Sequence, residues 1–211
     1  MTALALAAAA ALAAGCGGDK ERQDADEPAG EFPVEVAAAK FPTEQRLAQT
    51  SDLRLELENV GDEALPTLAV TIYTGDEKAS APFSTITDQP DLADPNRPVW
   101  ILENDYPKLA VADGESLDKA PSAGAGVAQT DTFSFGALEP GDSVDAVWRV
   151  TPIKAGTFTV HYEISAGLTG KAKAVTEDGS PVEGEFVVTI TDKPPRARVN
   201  GSGDVVIQSS P

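Results

Sequence analysis

Cysteine is nearly absent from this chain of 211 residues, and the single one is Cys16. The folded part therefore has no intramolecular disulfide and must be stabilised by its core alone. The chain also has one histidine, His161, and its only methionine is Met1. Copper and zinc sites usually take several His, Cys or Met ligands, so the sequence predicts neither metal.

Basic residues are scarce as well, because 16 Lys and Arg stand against 34 Asp and Glu and the formal net charge is −18. Nucleic-acid-binding proteins need clustered Lys and Arg to displace phosphate counterions, so no nucleic-acid partner is expected. A charged surface that keeps the domain soluble is the simpler interpretation, and attraction of cations or of a basic partner is the alternative.

One long hydrophobic run is present, at residues 2–14, and it consists almost entirely of Ala and Leu. It is too short to span a bilayer as a stable helix, but it has the length of the hydrophobic region of a signal peptide. The alternative is an uncleaved alanine-rich helix that carries a free thiol at Cys16.

The end of this run, Leu12-Ala13-Ala14-Gly15-Cys16, resembles the lipobox of bacterial lipoproteins. The resemblance implies that residues 1–15 are a signal peptide and that the Cys16 thiol receives a diacylglyceryl group, which would anchor the protein at the outer face of the cytoplasmic membrane, in the cell envelope. Two features depart from the pattern. Ala13 stands where a larger aliphatic residue is commoner, and no Lys or Arg precedes the run, which suggests that the true start codon lies upstream.

Residues 16–31 are polar and acidic, and they contain few apolar groups to bury. Such a composition predicts a disordered tether between the lipidated cysteine and the folded part. A flexible segment of this length would hold the domain on the order of 20 Å from the membrane anchor.

The clearest pattern in the folded part lies at residues 138–168, where apolar and polar residues alternate before and after Pro152 and Gly156. This alternation predicts a β-hairpin with one buried face, on which Trp148 and Tyr162 lie. Residues 171–176 and 185–191 predict a second pair of strands. Further strands are predicted around residues 34–36, 53–57, 68–72 and 132–136.

Turns and less regular stretches separate these strands. Residues 59–62, Asn-Val-Gly-Asp, predict a turn because they tolerate positive φ. Prolines interrupt residues 76–131, where short strands are expected at 99–102 and 109–111 and loop elsewhere. Residues 205–207 predict either a last edge strand or a loosely held tail within residues 193–211.

About eight short strands and no convincing helix after residue 16 predict an all-β antiparallel β-sandwich over residues 32–192, with a long insert at 76–131. Residues 53–61, residues 138–142, Trp148 and residues 155–158 resemble the immunoglobulin-like modules of bacterial surface proteins, in the style of CARDB domains. The resemblance implies an immunoglobulin-like sandwich without a shared catalytic set, because such modules serve as adhesive, spacer or binding units. The long insert departs from their compact pattern.

Candidate chemical groups are few. His161 lies on the polar face of its strand and lacks a serine in a strained-elbow context, so a solvated surface position is favoured over a catalytic one. Oxygen ligands for calcium lie close together in one loop, at Asp88, Asp91, Asp94 and Asn96. Their spacing matches no EF-hand, so a solvated acidic loop is the favoured interpretation.

Trp100 and Tyr106 are the candidate contact residues for a protein, peptide or carbohydrate partner. For Trp100, packing within the sandwich core is favoured over the contact role, because a large aromatic residue in a short apolar run most often lies in a core. We predict no catalytic residue, cofactor or metal. The leading hypothesis is a non-enzymatic interaction or structural module of the cell envelope, and the alternatives are an envelope hydrolase that uses carboxylates and a solute-binding component of a transporter.

Overall fold

The computed structural model describes residues 27–75, 82–85, 98–110, 117, 125–126, 132–193 and 196–208. These residues form fifteen β-strands and no α-helix. Within the same ranges, no helix has the length and hydropathy needed to cross a membrane. The strands are β1 (Gly30–Lys40), β2 (Glu44–Arg46), β3 (Ser51–Asn59), β4 (Leu65–Thr74), β5 (Phe83–Thr85), β6 (Trp100–Leu102), β7 (Lys108–Ala110), β8 (Ala125–Gly126), β9 (Thr132–Leu138), β10 (Ser143–Pro152), β11 (Gly156–Ser165), β12 (Ala172–Val175), β13 (Glu183–Thr191), β14 (Arg196–Val199) and β15 (Val205–Gln208).

Two sheets pack face to face and confirm the predicted all-β sandwich. The first sheet has the order β12-β1-β3-β10-β6-β5, and β7 also pairs with β10. The second has the order β2-β13-β11-β4-β9-β8. The central pairs are antiparallel, whereas β1 with β12, β13 with β2 and β5 with β6 are parallel.

The predicted β-hairpin at residues 138–168 is wrong. β10 pairs with β3, β6 and β7 in the first sheet, and β11 pairs with β4 and β13 in the second. The chain crosses from one sheet to the other between Pro152 and Gly156. Alternation identified both strands correctly because each has one buried face, but that pattern is the same whether two strands pair or face each other across a core.

The strands predicted at residues 171–176 and 185–191 also do not pair with each other, for the same physical reason. β12 pairs with β1, whereas β13 pairs with β11 and β2. Only one isolated bridge, between Val175 and Pro181, joins the two segments. The predicted second pair is therefore also divided between the two sheets.

The expected positive φ at residues 59–62 is absent, and the non-glycine residues with positive φ in the described chain are Ala48 and Asp105. Asn59 instead acts through its side chain. Its buried Nδ2 donates to the carbonyl oxygens of Leu138 at 2.8 Å and Glu63 at 2.9 Å, and its Oδ1 accepts from the Gly61 N–H at 3.0 Å. Because Leu138 belongs to β9, this amide links the two sheets.

Two fully buried tryptophans organise the core between the sheets. Trp148 contacts Phe133 and Phe135 edge-on, with both pairs of ring centroids 5.7 Å apart. Trp100 is surrounded by other rings, which belong to Phe41, Phe83 and Phe158. Tyr162 is 7% exposed, so the predicted core positions of Trp148 and Tyr162 are confirmed.

Both ends of the domain differ in detail from the expectation. β1 begins at Gly30, so Gly30 and Glu31 belong to a strand that the sequence assigned to the tether. β15 joins neither sandwich sheet and pairs only with β14, in a separate two-stranded sheet.

Candidate functional site

Trp100 does not form a contact surface. Its side chain is completely buried, and its indole Nε1 donates to Gln45 Oε1 at 2.8 Å. Gln45 is buried in β2, and its own Nε2 donates to the Pro42 carbonyl at 2.9 Å. A buried indole with a satisfied N–H is a core residue, so the favoured core position of Trp100 is confirmed and its candidate role as a partner contact is corrected.

Tyr106 is half-buried and lies against two cations. Lys108 Nζ and Arg149 Cζ are each 5.0 Å from the centroid of its ring. Contacts of this kind are worth about 0.5–1 kcal/mol at partly exposed sites. The candidate contact residue Tyr106 therefore lies against Arg149, which the sequence did not identify as a candidate site residue.

Arg149 lies on the outward side of β10, directly opposite Asp52 of β3 in the strand register. Arg149 Nε donates to Asp52 Oδ1 at 2.9 Å, and a second, longer bond of 3.4 Å joins Arg149 Nη2 to Asp52 Oδ2. Glu103 Oε2 lies 3.9 Å from the same Nε. The hydrogen bond to Asp52 is the largest cause that raises the pKa of Arg149, partial burial opposes it, and the charge of Asp52 adds to the rise.

A cleft of about 480 Å³ opens beside this ion pair. It lies where the chain passes from β2, in the second sheet, to β3, in the first. The passage requires a sharp turn, which Ala48 makes at φ 60° while its N–H donates to the Pro152 carbonyl at 3.0 Å. The cleft is lined by Pro42, Glu44, Gln45, Gln49, Thr50, Ser51, Asp52 and Arg149.

Seven of the eight lining residues have polar or charged side chains. The hydroxyl groups of Thr50 and Thr151 lie 3.0 Å apart at its edge. The Ser51 hydroxyl is buried and finds no hydrogen-bond partner within the described part of the chain. A paired guanidinium, amides and hydroxyls form a surface suited to recognition of polar groups, and no histidine stands beside Ser51 to activate it as a nucleophile.

A second ion pair extends the charged surface along β3 and β10. Arg54 Nη1 lies 3.1 Å from Asp145 Oδ2, and Arg54 Nη2 lies 3.8 Å from Asp52 Oδ2. Burial raises the pKa of Asp145, although the Arg54 charge acts in the opposite direction. The outward face of the first sheet thus carries a connected row of charges that ends at the cleft.

His161 lies far from this row in the topology, on the outward face of the second sheet. Its ring stacks on Tyr73 with centroids 5.0 Å apart, and its Nδ1 lies 3.5 Å from Glu185 Oε2. Its side chain is 25% exposed. The three side chains come from three neighbouring strands, β4, β11 and β13, at one level of the register.

Cys16 and the acidic loop residues Asp88, Asp91, Asp94 and Asn96 lie outside the described residues. Within the described ranges, no three His, Cys, Asp or Glu side chains come together in a way that could hold a metal ion.

No protein-family model and no curated protein matches this chain. Similar solved structures include the CARDB domain of a Pyrococcus furiosus protein. Its crystal structure, in complex with di-metal ions, is 10% identical over 77% of this chain and 94% of that one, with a TM-score of 0.42. Its solution NMR structure is 12% identical over 78% of this chain and 100% of that one, with a TM-score of 0.41.

Native α2-macroglobulin from Escherichia coli, from domain MG7 to its C-terminus, is also similar. It is 12% identical over 82% of this chain and 21% of that one, with a TM-score of 0.40. The chain therefore spans about a fifth of that macroglobulin fragment. CARDB domains, which the sequence motifs resemble, are thus among the similar structures, but TM-scores below 0.5 assign neither a family nor a function.

Sequence reasoning missed Asp52, Arg149 and the cleft. A usable signal was present, because Arg149 is the only cation in β10 and Asp52 precedes the clean alternation of β3. Recognising the pair required the register between β3 and β10, which lie about 90 residues apart in the chain and which alternation alone does not provide.

Proposed function

We propose that this protein is a non-enzymatic interaction module of the cell envelope, anchored through Cys16, and that the cleft beside Arg149 binds a protein partner. The observation that carries the proposal is the fixed position of Arg149 at the cleft. Asp52 holds its guanidinium through two hydrogen bonds, and the Tyr106 ring lies 5.0 Å from its Cζ. A guanidinium that is already ordered loses little side-chain entropy when a partner binds.

The hydrolase alternative needs two carboxyl groups in a cleft, one of them kept protonated by burial. Among the described residues, the buried polar side chains are Gln45, Asn59 and Lys108, and none is a carboxylic acid. Asp52, which lines the cleft, is already engaged by Arg149 through two hydrogen bonds. The contacts of the cleft therefore favour binding over acid-base chemistry.

Site-specific cross-linking in intact cells tests the cleft. Cys16 is the only cysteine, so a thiol placed at the exposed Gln49 of the cleft reports on this surface alone if Cys16 carries lipid. The matched control is Glu177→Cys, in the turn after β12. Strand β13 begins near that turn and ends beside β2, which borders the cleft. Its nine residues span roughly 25–30 Å, and this length separates the control position from the cleft.

We expect Gln49→Cys to give a cross-linked protein that Glu177→Cys does not give, and we expect Arg149→Ala to reduce its yield. Identical products from the two positions, or a yield that Arg149→Ala leaves unchanged, would contradict the cleft as the contact surface. A product that contains glycan and no second protein would assign the cleft to a carbohydrate.

The anchor has a separate test, because its support is the lipobox resemblance at Cys16. Cys16→Ser should move the protein from the membrane fraction to the soluble fraction. A variant that stays in the membrane fraction to the same extent as the unaltered protein would overturn the lipid anchor but leave the cleft proposal intact.

A further inference from the structure

The loop between β11 and β12 holds a carboxylate with its backbone. The N–H groups of Leu168 and Thr169 both donate to Glu27 Oε2, at 2.8 and 3.1 Å. The N–H of Ala172 donates to Glu27 Oε1 at 3.2 Å. Three backbone donors, two in the loop and one at the first residue of β12, thus converge on the two oxygens of one acid, in the manner of backbone nests that bind anions.

Gly167 leaves the room that this carboxylate occupies. A Cβ atom at Gly167 would overlap the Glu27 carboxyl group. The backbone at Gly167 does not require glycine, because its φ is not in the positive range, whereas Gly170 of the same loop has φ 79°. The lack of a side chain at Gly167 is therefore explained by the bound carboxylate and not by the conformation of the loop.

The Glu27 side chain is held in its charged form. Burial by itself raises its pKa, but the hydrogen bonds from Leu168, Ala172 and Thr169 together outweigh burial, and the net pKa is lowered. Hydrogen bonds to an ionised acceptor are roughly twice as strong as those between neutral groups. The loop therefore prefers a carboxylate over an uncharged group of the same shape.

The contact between Glu27 and this loop lies just before β1, the first strand of the sandwich. Glu27 precedes β1 by three residues, and the Gly30 N–H donates to the Lys171 carbonyl at 3.1 Å. Gly30 also begins the parallel pairing of β1 with β12, opposite Ala172. The chain is thus attached to the same loop twice within four residues, by a side chain and then by the backbone.

We propose that residues 167–172 form a carboxylate-binding site that receives Glu27 of the same chain and fixes the point where the N-terminal segment joins the sandwich. The site does not depend on the Arg149 cleft. The ligand of this site is a carboxylate, and a free carboxylate such as formate should occupy the site when the Glu27 side chain is removed.

The first experiment is chemical rescue in the full chain. Glu27→Ala should raise the equilibrium constant for unfolding at least about tenfold, since it removes hydrogen bonds to a charged group. Formate should restore most of the loss, and chloride at the same ionic strength should not. Glu31→Ala, an exposed acid in the adjoining strand, is the control and should change little. Glu27→Gln keeps the shape and loses the charge, and it should lie between Glu27→Ala and the unaltered chain.

Nuclear magnetic resonance shows which residues formate contacts when it restores stability. In Glu27→Ala, formate should shift the amide resonances of Leu168, Thr169 and Ala172, and in the unaltered chain it should not, because Glu27 already occupies the loop. Formate-induced shifts elsewhere, or equal shifts in both proteins, would overturn the proposal.

A double-mutant cycle with Gly167 gives an independent test. Gly167→Ala should destabilise the protein in the presence of Glu27 and become nearly neutral in the Glu27→Ala background, since the overlap disappears with the carboxylate. If the two substitutions are additive, Gly167 has another role and the proposed site is refuted.

Discussion

Asn59→Ala should be one of the most destabilising single substitutions of a polar residue in this protein. Asn59 is completely buried at the end of β3, and its side chain makes three hydrogen bonds, one of which crosses to Leu138 in the opposite sheet. Alanine removes all three and leaves the carbonyl oxygen of Leu138 in a buried position. Water cannot readily replace the lost donor there.

The magnitude follows from the burial of each bond. An unsatisfied buried group costs about 1–3 kcal/mol, and the two part-buried bonds contribute about 0.5–1.5 kcal/mol each. The free energy of unfolding should therefore fall by about 4 kcal/mol, which corresponds to a Tm lower by about 8–16 °C for a domain of this size. Asn59→Asp keeps the acceptor for the Gly61 N–H but sets a carboxylate against two carbonyl oxygens, so it should be at least as destabilising at neutral pH.

Urea unfolding followed by tryptophan fluorescence measures this effect, because Trp100 and Trp148 are both fully buried and become exposed on unfolding. Glu56→Ala, an exposed residue of the same strand, is the control and should stay within about 0.5 kcal/mol of the unaltered protein. A loss below about 0.5 kcal/mol for Asn59→Ala would refute the argument that this amide links the two sheets.

Three other predictions concern the side chains of Trp148, Gln45 and Glu27. Trp148→Ala should lower the free energy of unfolding by about 3–5 kcal/mol in the same urea assay, because it removes a large buried ring beside Phe133 and Phe135; a loss below about 1 kcal/mol would contradict its central place in the core. Gln45→Leu should lower the free energy of unfolding by about 1–3 kcal/mol, since leucine leaves the buried Trp100 indole N–H unpaired; a loss below about 0.5 kcal/mol in the same urea assay would show that the bond matters little. The pKa of Glu27 is lowered in the folded state, so its contribution to stability should be complete above the ordinary pKa of 4.5 and should disappear as the pH falls through the folded-state pKa. The difference in unfolding free energy between the unaltered protein and Glu27→Gln should therefore shrink in acid. A difference that stays constant between pH 7 and pH 3 would contradict this prediction.

Much of the fold followed from local pattern. The strands containing Leu53, Val70, Trp148 and Val188 were all predicted within a few residues of their observed bounds, since each alternates apolar and polar residues and the apolar set is buried. Short strands such as β2, β5 and β8 carry too few residues to show a period, and none was predicted.

The candidate site was predicted only in part. Tyr106 was chosen as an aromatic residue in an irregular segment, and it does lie against Arg149. Trp100 was chosen for the same reason and lies in the core, because β6 inserts its side chain between the sheets. The short apolar run around Trp100 favours the core over a contact role, and the buried side chain agrees with that interpretation.

The amino-acid sequence by itself determined the all-β class, the positions of the long strands and the residues of the core, because burial of alternate side chains depends on a period of two along one segment. Tertiary structure decided which strands pair. It divided β10 from β11 and β12 from β13, placed Asp52 opposite Arg149, and brought Glu27 to a loop about 140 residues further along the chain. These contacts depend on register and on chain crossings between sheets, which are settled by packing of the whole core and leave no period in any single segment.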